Sequence, residues 1–155
     1  MKTLILVSVA FFMVNYVSAQ KIKESDVPKN VVSAFQAKFK GAKVKKWEKE
    51  KDKFEVEFDF NKNEMSADFS ADGKLLESEQ EIKTSELSKT ITDYITKNYA
   101  GYKLGEAAKI MGADGKISFE AEVSKGKEKM DLIFDDKGNF IKKNVEPQDK
   151  KEDKD

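Results

Sequence analysis

The sequence predicts an α+β protein made of two tandem repeats, each one helix packed on a four-stranded antiparallel meander sheet. Three observations predict it. Short stretches alternate strictly between apolar and charged residues, as in Phe54, Val56, Phe58 and Phe60 against Glu55, Glu57 and Asp59, which is the period of a half-buried strand. Two other stretches place apolar residues at helical spacing. The whole order of elements then recurs about sixty positions on.

In the first half, Val27-Pro28 opens a helix, with proline in the first turn where its missing N–H costs little. Val31, Val32, Phe35 and Phe39 form its apolar stripe and Gly41 ends it. A lysine-rich stretch carrying Val44 and Trp47 gives the first strand, and Phe54 to Phe60 the second. Asn61-Lys62-Asn63 is a turn, after which Met65, Ala67 and Phe69 alternate with Glu64, Ser66 and Asp68. Asp72-Gly73 signals a hairpin into a fourth strand from Lys74 to Ile82.

The second half repeats this grammar. Leu87, Ile91, Tyr94, Ile95 and Tyr99 mark a helix ended by Gly101, and Tyr102 to Met111 is a strand. Ile117 to Val123 alternates, Met130 to Phe134 follows, and Asp136-Lys137-Gly138-Asn139 turns the chain into Phe140 to Val145. Phe35, Phe39 and Gly41 fall on Ile95, Tyr99 and Gly101; Met65, Phe69, Gly73 and Leu75 fall on Met130, Phe134, Gly138 and Phe140. Such a run in one element order reads as an internal duplication. At about sixty residues a unit alone would be marginal, so the halves are expected to pack side by side. The domain reading is residues 1–19 as a signal peptide, 20–84 and 85–146 as the two repeats, and 147–155 as a disordered charged tail.

The signal peptide rests on Lys2, the apolar run Leu4 to Val14, and Val17-Ser18-Ala19 before the cut. That run is eleven residues, short of the roughly 20 that cross a bilayer. A periplasmic or secreted protein with no membrane span after cleavage is expected. Absent residues exclude whole chemistries. Zero histidine and zero cysteine remove Ser-His-Asp and Cys-His catalysis, thiol nucleophiles, disulfides and zinc ribbons. Every cation is a lysine, which argues against nucleic acid, a ligand usually read by arginine. No catalytic residue, cofactor or metal ligand is assigned.

One constellation stands out. The outward register of the strands is acidic, with Glu55, Glu57, Asp59, Glu64, Asp68, Glu120, Glu122 and Asp131. Like charges opposite each other across strands are unfavourable, so their accumulation points to a face for a basic partner or a divalent cation. The plain alternative is a solvated face offset by Lys43, Lys45, Lys46, Lys74 and Lys129. The candidate partner-binding residues are Glu55, Glu57, Asp59, Asp68, Glu120 and Glu122, with Trp47 as an aromatic anchor should it lie at the surface.

Phe54-Glu-Val-Glu-Phe58 with Phe69-Ser-Ala-Asp-Gly-Lys-Leu75, and again Ile117-Ser-Phe-Glu-Ala121 with Phe134-Asp-Asp-Lys-Gly-Asn-Phe140, resemble the PepSY superfamily. Two units behind a signal peptide resemble the duplicated PepSY-like exported bacterial proteins of the β-lactamase-inhibitor-protein fold. The resemblance implies a non-catalytic extracytoplasmic module that binds or inhibits an unidentified protein or peptide. The second expectation, from the acidic register, is a small-ligand or divalent-cation binding protein. In the inhibitor fold an aromatic sheet surface does the binding; here the aromatic residues take the inward register, so β-lactamase inhibition is not carried over.

Overall fold

The computed structural model describes residues 20–145, so the expected signal peptide and charged tail lie outside the described residues. The chain runs β1 (Gln20–Ile22), α1 (Lys29–Lys38), β2 (Lys43–Glu50), β3 (Lys53–Phe60), β4 (Asn63–Ser70) and β5 (Leu75–Ile82). It continues with α2 (Lys89–Asn98), β6 (Lys103–Gly112), β7 (Ile117–Lys125), β8 (Glu128–Asp135) and β9 (Phe140–Val145). A short 3-10 turn precedes each helix, at Glu24–Asp26 and Thr84–Glu86. All nine strands join in one antiparallel sheet in chain order.

This answers how the halves meet. Instead of two separate four-stranded sheets, the meanders are fused edge to edge: β5 pairs with β6 from Glu77 opposite Gly112 to Ile82 opposite Ala107. Fusion removes two open strand edges, each a row of unpaired backbone groups. A ninth strand, β1, lies in the polar stretch between residue 20 and the first helix, for which the sequence pattern predicts no element. It is only three residues long and pairs Ile22 with Trp47, so no alternation had room to show.

Both helices cover the same face of the sheet, because alternation sends every second side chain there. Under α1, Val31 and Phe35 meet Trp47, Val56, Phe58 and Phe69 in one buried cluster. Phe35 packs edge-on to Phe58 at 4.9 Å and to Trp47 at 5.6 Å between ring centroids. Under α2, Ile91 and Ile95 meet Ala121, Val123, Leu132 and Phe134. The first core is aromatic-rich, and the second is mostly aliphatic in its interior with Tyr94 stacked on Phe140 at its border.

The turns lock each helix to its sheet. Asn61 and Lys62 both take positive φ, the conformation a two-residue β3–β4 hairpin requires. At the β4–β5 turn, Gly73 has φ +84 and lies against the first turn of α1, where Asn30 Nδ2 donates to the Ala71 carbonyl at 2.9 Å. Its counterpart Gly138 has φ +85, and a methyl group there would come within 3.0 Å of Ser88 Oγ and Thr90 Cβ. Ser88 is itself the N-cap of α2, accepting from the Ile91 N–H. Gly138→Ala should therefore strain the turn and displace the cap together. The expected loss is about 1–3 kcal/mol of unfolding free energy by denaturant titration. Gly115→Ala, also at positive φ but with open space around it, should lose less.

Candidate acidic face and family membership

The opposite face of the sheet carries no helix among the described residues, and acids dominate it. Cross-strand register puts Glu48 opposite Glu55, Glu55 opposite Asp68, and Asp68 opposite Glu77, a line of four acids over β2 to β5. In such pairs the Cβ atoms lie about 4.5–5.5 Å apart, so the charges cannot avoid one another. Over the central strands β3 to β7 the face sinks into a depression of about 260 Å³. It is bordered by Glu55, Glu57 and Glu64, by Glu79, Glu81 and Glu106, and by Glu120 and Glu122.

At the margins lysines balance the acids. Lys45 reaches both Asp59 (3.0 Å) and Glu64 (2.9 Å), and Lys46 reaches Glu57 (2.7 Å) and Glu48 (3.2 Å). Lys53 joins Asp68 (2.6 Å) to Glu50 (3.2 Å), and Lys129 pairs with Glu122 (2.5 Å). The hydrogen bond that Lys46 donates to Glu57 holds its ammonium above its ordinary range, and those that Lys45 donates to Glu64 and Asp59 do the same for Lys45. Burial works against the Lys53 charge, but Asp68 and Glu50 outweigh it and its pKa rises. Asp68 Oδ2 takes the Lys53 ammonium, while its buried Oδ1 receives no hydrogen bond from a described residue.

The centre is different. No lysine among the described residues forms an ion pair with Glu55, Glu79 or Glu120, all half-buried. Burial, then the Asp68 charge, pushes the Glu55 carboxyl up to about 7. Burial and Glu77 push Glu79 to about 7; burial and Glu79, followed by Asp131 and Glu122, push Glu120 to about 8. These groups hold protons that ordinary glutamates have already released.

Of the residues singled out from sequence, Glu55, Glu57, Glu120 and Glu122 come together at the depression. Asp59 sits at its margin in the Lys45 pair, and Asp68 lies one strand over in the acidic line. Trp47 is a correction: it is 2% exposed, inside the first core, with its indole N–H donating to Glu24 Oε2 at 3.4 Å. It sits opposite Val56 on the inward register of β2, so it anchors the fold and is closed to a partner. Lys43 stands opposite Asp59 in the register, whereas Lys74 pairs with Asp72 in the β4–β5 turn and does not balance the face as expected. The sequence reading missed Glu77, Glu79, Glu81 and Glu106. The first three alternate plainly along β5, but they matter only because β5 becomes a central strand when the halves fuse.

What the chain presents is a two-layer α+β protein, one layer of helices on a single antiparallel sheet whose other face is open and charged. It belongs to the family described as "Putative beta-lactamase-inhibitor-like, PepSY-like", whose model matches residues 13–77 and again 58–142. The fold is shared with solved structures at low identity. One is a protein of Bacteroides eggerthii described as "putative periplasmic", with 14% identity, 77% of this chain and 88% of that chain covered, and a TM-score of 0.68. A DUF2874 family protein of Bacteroides uniformis aligns at 15% identity over 76% and 88%, with a TM-score of 0.67. A BLIP-like protein of Bacteroides fragilis aligns at 18% identity over 75% and 84%, with a TM-score of 0.61. No curated protein matches the sequence.

Two outcomes follow from the geometry. Trp47→Ala should cost about 3–5 kcal/mol of stability, the usual loss for a large aromatic taken from a packed core, measured by denaturant unfolding. The pH dependence has a definite sign. Glu55, Glu79 and Glu120 have folded pKa values above the ordinary glutamate range, so between pH of about 4.5 and about 8 the folded chain binds more protons than the unfolded one. Stability should fall as pH rises through that window. The melting temperature should be several degrees higher at the acid end, and a Glu79→Gln, Glu120→Gln double variant should flatten the slope.

Proposed function

We propose that the protein is an exported, non-catalytic binding module that offers the helix-free acidic face of its sheet to a cationic protein or peptide. The carrying observation is the uncompensated centre. Glu55, Glu79 and Glu120 converge without an ion-paired lysine, while Glu57, Glu64 and Glu122 around them each hold one. Half-buried carboxylates without a counter-charge weaken the fold, and residues kept at such a cost are candidates for function. A positively charged partner would supply the missing charge.

Export is supported by the sequence of residues 1–19 and by the periplasmic description of a protein with this fold. In this reading the leader is removed, and residues 20–84 and 85–146 are two copies of one unit, each a helix with its four-stranded meander. Two overlapping family matches and two separate cores support the duplication. The inhibitor-like description of the family supports a protein partner over a small metabolite. A divalent-cation carrier is less favoured: among the described residues no group of three acids is set to hold one ion.

Crosslinking from the native extracytoplasmic fraction tests the reading, with the wild-type chain beside a Glu57→Lys, Glu122→Lys variant shown to fold by circular dichroism. A basic protein retained by the wild type, lost from the variant and released by raised salt is the expected result. A partner held equally by both would move the site off this face.

A further inference from the structure

The acidic face separates into a margin already neutralised within the chain and a centre that is not, and this division suggests how binding is controlled. We propose that the face is proton-gated: it holds a lysine-rich extended segment while its central glutamates are ionised, and releases it when they take up protons. This rests on the binding role proposed above and adds the control of that same site.

The setting of each central group supports a gate. Glu55 is faced by Asp68 of β4 and by Glu50 and Glu48 of β2, with Lys53 of its own strand opposing them. Glu79 feels Glu77 beside it, Asp68 of β4 and Asp131 of β8, again with Lys53 opposing. Around Glu120 stand Glu77 and Glu79 of β5, Glu122 of its own strand and Asp131 of β8. From β6, Glu106 borders the same depression, and from β9, Lys142 lies two strands from Glu120, beyond Ile133. Lys53 is already engaged by Asp68 and Glu50, so it cannot also neutralise the centre.

The chemistry of the partner follows from spacing. Glu55, Glu79 and Glu120 stand on alternate strands, so neighbouring backbones are about 10 Å apart, and the three acids present a row of separate charges. Lysines two or four residues apart on an extended segment point to one side, about 7 and about 13 Å apart, which brackets that spacing. The gate follows from the difference between centre and margin. Marginal acids such as Glu57, Glu64 and Glu122 already hold a lysine of this chain, whereas the half-buried, mutually repelling centre offers its charge to a partner and loses it on taking up protons. A lysine segment keeps its charge to a pH of about 10, so any change below that belongs to this face.

The test is fluorescence anisotropy of a labelled oligolysine on the folded protein, at pH of about 8.5 and about 5.5 and constant ionic strength. The expected affinity is at least roughly tenfold weaker in acid. Glu79→Gln with Glu120→Gln should bind weakly and alike at both pH values, while Asp93→Asn, on α2 across the sheet, should behave as wild type. Equal affinity at both pH values would overturn the gate and leave the binding face standing. No binding at either would overturn the binding face and the gate with it. Carboxyl-carbon NMR of the unmodified protein decides independently of any variant: Glu120 titrating in the ordinary glutamate range overturns the gate.

Discussion

The structure depends on one constraint, that alternate residues of a strand must face opposite sides of the sheet. With apolar side chains on every second position of β3, β4, β7 and β8, one face has to be covered. Among the described residues, a helix stripe in each half supplies the apolar surface that covers it. The same period drives every intervening residue to the other face, and acids are prominent among them, as Glu55, Glu57, Asp68, Glu120 and Glu122 show. Core and acidic face are therefore two consequences of one pattern. A one-residue slip of register would expose the core and bury the charges, so each face fixes the other.

Fusion through β5 and β6 then decides where the charge accumulates. Taken alone, each meander would leave β5 or β6 at an edge, where water and flexible lysines could screen its acids. Joined, β5 and β6 become central, and Glu77, Glu79 and Glu81 are brought between the acids of β3 and β4 and those of β7. Lysines reach the outer members of this field: Lys45 and Lys46 come from β2, Lys129 from β8. On β5 the alternate residues on the other side are Ser78 and Gln80, which bring no cation near the centre.

Much of this was legible in the sequence. Eight of the strands, both helices and the glycine turns follow from periods of two and of 3.6 and from residues that tolerate positive φ. The acids of β3 and β7 were legible for the same reason. The fusion was not, because it is a pairing between strands of different halves and leaves no local signature in either. Without it Glu79 is an unremarkable exposed residue. Trp47 illustrates the opposite limit: a lysine-rich stretch masks an inward position, and only the pairing with Val56 shows which way the indole points. The strand β1 escaped because three residues cannot display a period.

The remaining question is why a fold would keep a line of like charges that works against its own stability. Replacing Glu55 or Glu79 by a neutral residue would leave the apolar core untouched, since neither side chain enters it. The first core, with Trp47, Phe58 and Phe69 fully buried, supplies stability that the acidic face does not provide. That separation is the physical basis for assigning the acidic face a role beyond folding. The apolar face and its helices hold the scaffold in shape. The opposite face is then free to be shaped by what it meets, at an energetic cost the core can absorb.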